Sequence, residues 1–263
     1  FLSEIVVQRM IVPLAMRLGG FRKSAVRDEE GRTLKYWYRE SSSTNNTPIV
    51  FFHGVGIGVL PYVSLFRDIV NATVEDRLII APEFPSVSLT VPIDIGTNPK
   101  ETSNLLNKIL REHKIQRVIF VAHSFGVGPL SWLLKHFSQS SDLSVEKSIC
   151  IDPVNVGVHR ATLCRAFLYD PPQVTFQSSR SFYKFMLTQT LNRDATVVST
   201  FMRNIRWYES FILEELENIE CEKMTFFFSE RDSYMDAEQD YNDVKRFNSS
   251  DVCLDAKLWK GVI

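Results

Sequence analysis

Short apolar runs alternate with helical patterns along this chain, and that alternation sets its architecture. Strands are predicted at 34–39, 48–52, 77–81, 116–122, 147–151, 223–228 and 252–259. Their nearly continuous apolar character fits strands covered on both faces, and the helical stretches between them fit βα units feeding a mainly parallel sheet. One helix, over 99–113, has a readable start. Asn98 suits the cap, Pro99 the first helical position and Glu101 a capping box, after which Leu105, Leu106, Ile109 and Leu110 form one stripe. The polar run 40–47 reads as a surface loop between two strands.

About seventy residues separate the strand ending at Ile151 from the one starting at Lys223. One crossover helix needs far fewer. The expected division is therefore an N-terminal amphipathic segment (1–33), a first core part (34–154), an inserted helical cap (155–221) and a second core part (222–263). The cap's many bulky apolar side chains, such as Phe167, Phe176, Phe201 and Phe211, serve packing against the sheet or line an apolar pocket.

Composition narrows the roles. Thirty basic against thirty-one acidic residues leave a net charge of −1, so no global field draws the chain to nucleic acid or acidic lipid. The cysteines Cys150, Cys164, Cys221 and Cys253 are scattered and lack metal-ligand spacing, which makes them buried or incidental thiols; no metal or organic cofactor is implied. The apolar run 5–18 is too short to span a bilayer, and Arg9, Pro13 and Arg17 favour a broken amphipathic helix. The chain begins at Phe1 and ends at Ile263 inside an apolar run, so both ends read as truncated, which leaves room for a membrane-associating segment upstream. Neither compartment nor oligomeric state is indicated.

Three segments carry chemistry. Residues 118–126 run from a strand into Ala122-His123-Ser124-Phe125-Gly126, a near match to the G-x-S-x-G turn that holds a serine on a strained bend above the sheet edge. Ala122 stands where the first glycine is expected, and Pro129 falls early in the following helix, where its ring and missing N–H are disturbing. Phe51-Phe52-His53-Gly54-Val55-Gly56 also follows a strand, and such a loop can aim an N–H at a substrate oxyanion. The two donors expected are the main-chain amides of Val55 and Phe125, with His53, Gly54 and Gly56 shaping the loop; an ordinary glycine turn is the plain alternative. In the turn 229–232, Asp232 is the preferred acid to orient a histidine, with Glu230, Asp236 and above all Asp152 as rivals.

These segments, with Ile151-Asp152-Pro153-Val154, resemble the α/β-hydrolase superfamily, and most of all its large-cap serine members from fungi and other microbial eukaryotes. The likeness runs from about residue 34 to the end and is weakest in the cap. It implies an α/β fold with a mainly parallel sheet, helices on both faces and the cap. It also implies a serine esterase acting on a small-molecule ester, with lipid and other apolar acyl compounds among the candidates, through an acyl-enzyme, in the order nucleophile, acid, histidine. Ser124 and Asp232 fit the first two. None of His53, His113, His123, His136 or His159 follows Asp232; loop and helix lengths place the third member near residue 260 or just beyond, so this stretch is expected to be nearly inert alone. His123 is expected to point away from the nucleophile, His113 and His136 to sit near helix ends, and His159 to be the only stand-in. The rival is a catalytically silent relative that binds a ligand or partner through its cap.

Overall fold

The computed structural model describes residues 6–43, 45–72, 76–88, 98–137, 143–169, 195–201, 205, 207–215, 221–232, 234–247 and 253–260. Its frame is an eight-stranded sheet in the order β1-β2-β4-β3-β5-β6-β7-β8, made by Arg22–Arg27 (β1), Thr33–Arg39 (β2), Ile49–Phe52 (β3), Ile79–Pro82 (β4), Arg117–His123 (β5), Ser144–Ile151 (β6), Lys223–Ser229 (β7) and Cys253–Trp259 (β8). Strand β2 runs antiparallel to both its neighbours, and β4, β3, β5, β6, β7 and β8 are mutually parallel.

Every residue of β3 and β4 is buried, as their unbroken apolar sequences predict. Successive side chains point to opposite faces, so Val50, Phe52 and Phe120 join one core cluster while Ile49, Phe51 and Val121 join the other. The first cluster is closed by the helices Pro99–Glu112 (α3) and Val127–Phe137 (α4), the second by a helix at the N-terminus (α1) and by Val63–Ala72 (α2).

Three expectations need correction. Strand β1 was not foreseen: only Val26 of its six residues is buried, so no alternation marks it, and pairing with β2 makes it a strand. Helix α1 is not broken at Pro13. A π-helical turn, Val7–Ile11, runs directly into the α-helix Val12–Leu18, and this wider turn, in which Val12 N–H bonds to the Val7 carbonyl, lets the helix continue past Pro13. At the start of α3, the Asn98 side chain does accept from the N–H groups of Lys100 and Glu101, but Glu101 answers the Asn98 side chain instead of its main chain.

Between β6 and β7 the described helices are short: Ala161–Cys164 (α5), Ala195–Ser199 (α6) and Ile212–Glu215 (α7). Residues 170–194 of the expected cap lie outside the described residues. Trp132 Nε1 donates to Ser210 Oγ (3.0 Å) and Asn155 Nδ2 to the Ser210 carbonyl (2.9 Å), which fastens both ends of this segment to α4. Cys150 and Cys221 are buried, as expected of thiols acting as small hydrophobes.

The segment after β6 is also anchored to the helix Ala237–Arg246 (α8), where Arg160 pairs with Asp240 and Asp243. Burial pushes the Asp240 carboxyl up to about 6, and Arg160 draws it partly back down. Replacing Arg160 by methionine should cost about 1–2 kcal/mol in urea unfolding at pH 7, because one unit above a pKa of about 6 a carboxyl that loses its cation takes up a proton instead of staying charged. Without Arg160 the folded pKa of Asp240 rises further above 6, so both folded proteins hold the proton below about pH 6 and the deficit opens only between pH 6 and the higher pKa of the variant. The deficit of the variant should therefore shrink as the pH falls through that window.

Candidate functional site

At the end of β5 the chain turns sharply. Ser124 has φ 52°, a left-handed conformation that costs an L-residue about 1–2 kcal/mol, and it opens a tight helical turn, Ser124–Gly126, ahead of α4. Gly126 makes this possible. A Cβ there would lie 2.3 Å from the Phe52 carbonyl oxygen, so only glycine fits. Ala122, by contrast, is fully buried and pairs in register with Phe52 and Cys150, so the bend tolerates a methyl group at its first small position. The structure also accounts for Pro129. Because the tight turn ends at Gly126 and α4 begins at Val127, Pro129 is the third residue of α4, among the first amides that have no intrahelical partner anyway.

The loop after β3 packs directly against this bend. A Cβ on Gly54 would come 3.1 Å from Ser124 Cβ, 2.9 Å from His123 Nδ1 and 3.2 Å from Tyr62 Oη. Its amides are allocated one by one. Gly54 N–H donates to Tyr62 Oη (3.0 Å) and Gly56 N–H to the Val87 carbonyl (2.9 Å). Among the described residues the Val55 N–H has no acceptor. Phe125, second in its tight turn, likewise carries an N–H that the start of a helix leaves unpaired.

Both histidines beside Ser124 are structural. His53 is fully buried, and its Nε2 accepts the Phe84 N–H (3.0 Å); an amide only donates, so the ring proton sits on Nδ1, which donates to the Gly54 carbonyl (2.8 Å). Burial lowers its pKa, in keeping with a neutral ring. His123 packs on Gly54, its Nδ1 2.7 Å from Tyr62 Oη. Because that hydroxyl already accepts from Gly54, it donates to His123, whose pKa burial also lowers. Tyr62, its own pKa pushed up to about 12 by burial, thus pins the loop to the bend. Nothing in the sequence marks it; the three groups meet only in the fold.

The rival acids separate by their hydrogen bonds. Asp152, at φ 44°, accepts from Ser229 N–H (2.7 Å) on one oxygen and from Ser229 Oγ (2.9 Å) on the other, latching β6 to β7. Asp236 caps α8 by accepting from Gln239 N–H, and Glu230 is exposed. Asp232 follows β7, and its Oδ1 accepts from the N–H groups of Tyr234 and Met235 at 2.7 and 2.9 Å. Glu230 N–H donates to the Trp259 carbonyl (3.1 Å), so the chain leaving β8 emerges beside this turn. Of the other histidines, His113 is the C-cap of α3, as expected of a helix end, and is half-buried against Tyr36, 3.1 Å from its hydroxyl. His159 is exposed, its ring edge-on to Phe211. Among the described residues no cluster of candidate metal ligands occurs.

No family model and no curated protein matches the sequence. Solved structures do match the fold over most of its length. A membrane phospholipase A described as a bacterial virulence factor superposes with TM-score 0.64 and 14% identity over 98% of this chain and 85% of its own. The carboxylesterase CesB of Bacillus subtilis gives 0.62 and 10% over 97% and 90%. This chain has the α/β-hydrolase fold. The naproxen esterase of Bacillus subtilis shares the same hydrolase fold, with TM-score 0.58 and 12% identity over 97% of this chain and 90% of that one.

Two substitutions probe the geometry of the bend. Ser124→Gly should stabilise the protein by up to about 1 kcal/mol in urea unfolding, since glycine accepts the left-handed φ that serine resists, whereas Ser124→Ala should not. Tyr62→Phe should destabilise by about 1–3 kcal/mol, because Gly54 N–H and His123 Nδ1 lose their shared partner in a buried place.

Proposed function

We propose that the protein is a serine hydrolase that cleaves carboxylic esters through an acyl-enzyme. The observation that carries this reading is the contact between two loops: Ser124, projected by a left-handed backbone, lies against a loop in which Gly54 and Gly56 have committed their amides while Val55 keeps its own. Ser124 Oγ attacks the ester carbonyl. The N–H groups of Val55 and Phe125 then receive the charge that develops on its oxygen, which stabilises the transition state more than the ground state.

Asp232 orients the histidine that takes the serine proton. Strands β5 and β7 stand two ladder spacings apart, about 10 Å, a gap that an imidazole hydrogen-bonded at both ends fills. No histidine follows Asp232 in these 263 residues. The reading places it just past β8, whose exit adjoins the Asp232 turn, so this stretch alone should react slowly. Water releases the acyl group, and the steps ask for no cofactor. Solved structures that share the fold are described as esterases and a phospholipase, which supports an ester as substrate. The likeness to large-cap serine members, with apolar side chains of the 155–221 segment lining an acyl pocket, belongs to the same proposal.

A fluorophosphonate probe tests it on the chain extended by the residues its gene encodes after Ile263. Labelling should be fast, vanish in Ser124→Ala and slow by on the order of 10³-fold or more in Asp232→Asn. Asp152→Asn should instead lower stability while Ser124 still reacts. A histidine-bearing extended chain that takes no label on Ser124 would favour the catalytically silent reading.

A further inference from the structure

We infer that α1 is a docking surface for an anionic lipid bilayer. Helix α1 buries Val12 and Met16 but leaves a second apolar face in solvent: Val6 is 39% exposed, Met10 64%, Ile11 44%, Leu14 61% and Leu18 80%. Met10, Leu14 and Leu18 follow one another at one side chain per turn, so they form a continuous stripe and not the scattered exposure ordinary surfaces show. Of the eight large apolar side chains exposed among the described residues, these five share a single helix. Among the described residues no helix is long and apolar enough to cross a membrane, and the mode α1 fits is lying in the interface plane.

Charge selects the occupant. From Val6 to Arg27 the chain carries Arg9, Arg17, Arg22, Lys23 and Arg27 and no acidic residue, although its net charge is −1. Arg22 and Lys23 pair with Glu40 and Glu83. Arg9 and Arg17, on the helix itself, are exposed, and no ion pair involving them occurs among the described residues. A second copy of the chain docked face to face would set these guanidinium groups against each other. Anionic headgroups would neutralise them while acyl chains cover the stripe. The same character continues onto α2, where Arg67 and Val70 join Leu18 around a cavity of about 340 Å³.

The position of α1 links the surface to the site. Gln8 Nε2 donates to the Ser88 carbonyl (2.5 Å), and Ser88 Oγ to that of Phe84, whose N–H holds His53. The N-terminal end of α1 is therefore tied to the segment that backs the loop beside Ser124.

Vesicle flotation of the 263-residue protein tests the inference, with phosphatidylcholine alone and mixed with phosphatidylserine. The wild type should float with the mixed vesicles and far less with the neutral ones. The variant Met10→Ser/Leu14→Ser/Leu18→Ser should lose partitioning tenfold or more, and Arg9→Gln/Arg17→Gln should lose roughly 30-fold on mixed vesicles only. Where the triple variant does not fold, Leu18→Ser alone, at the most exposed position, gives the same reading. Ser124→Ala should float as the wild type does, so failure of the hydrolase reading leaves this result intact. A wild type that stays with the soluble fraction, variants that float unchanged, or a dimer in sedimentation that the triple variant dissolves would each overturn the proposal.

Discussion

The bend at Ser124 depends on the close approach of Gly126 to the carbonyl of Phe52. It brings the backbone after β5 into contact with the backbone at the end of β3, and the paired register of Phe52 with Ala122 sets how near the two come. A serine at φ 52° is uphill by itself; it persists because the strands on either side, with Phe52, Phe120 and Ala122 wholly enclosed, leave the chain no other path. The placement of the loop 53–56 and the packing of Gly54 on Ser124 follow from that contact.

Around it, polar groups are distributed with little slack. His53 receives one amide and serves one carbonyl; Tyr62 receives another amide and serves His123. In so buried a setting each of these bonds is costly to leave unmade, so the loop is held before any substrate arrives.

The central strands were legible because burial on both faces leaves no polar positions, as in β3 and β4, where all four residues of each are enclosed. Strand β1 was illegible for the opposite reason: Arg22, Lys23 and Arg27 face water, and only the hydrogen bonds to β2 declare it. Ser124 and the 53–56 loop could be read because their members are consecutive. Tyr62 could not, since eight residues separate it from Gly54 and sixty-one from His123. The rivalry between Asp152 and Asp232 was also beyond the sequence. Both follow strands, and the hydroxyl of Ser229 that occupies Asp152 lies 77 residues away.

Pro129 gives the bend a one-way stop. In a helix wound back through Ser124, the nitrogen of residue 129 would have to bond the Phe125 carbonyl four positions earlier; a pyrrolidine nitrogen has no hydrogen to offer. The right-handed coil that would erase the left-handed serine is thus denied one of its own links. An apparent misfit in the helix acts as a ratchet that keeps the Ser124 backbone from relaxing into the helix behind it.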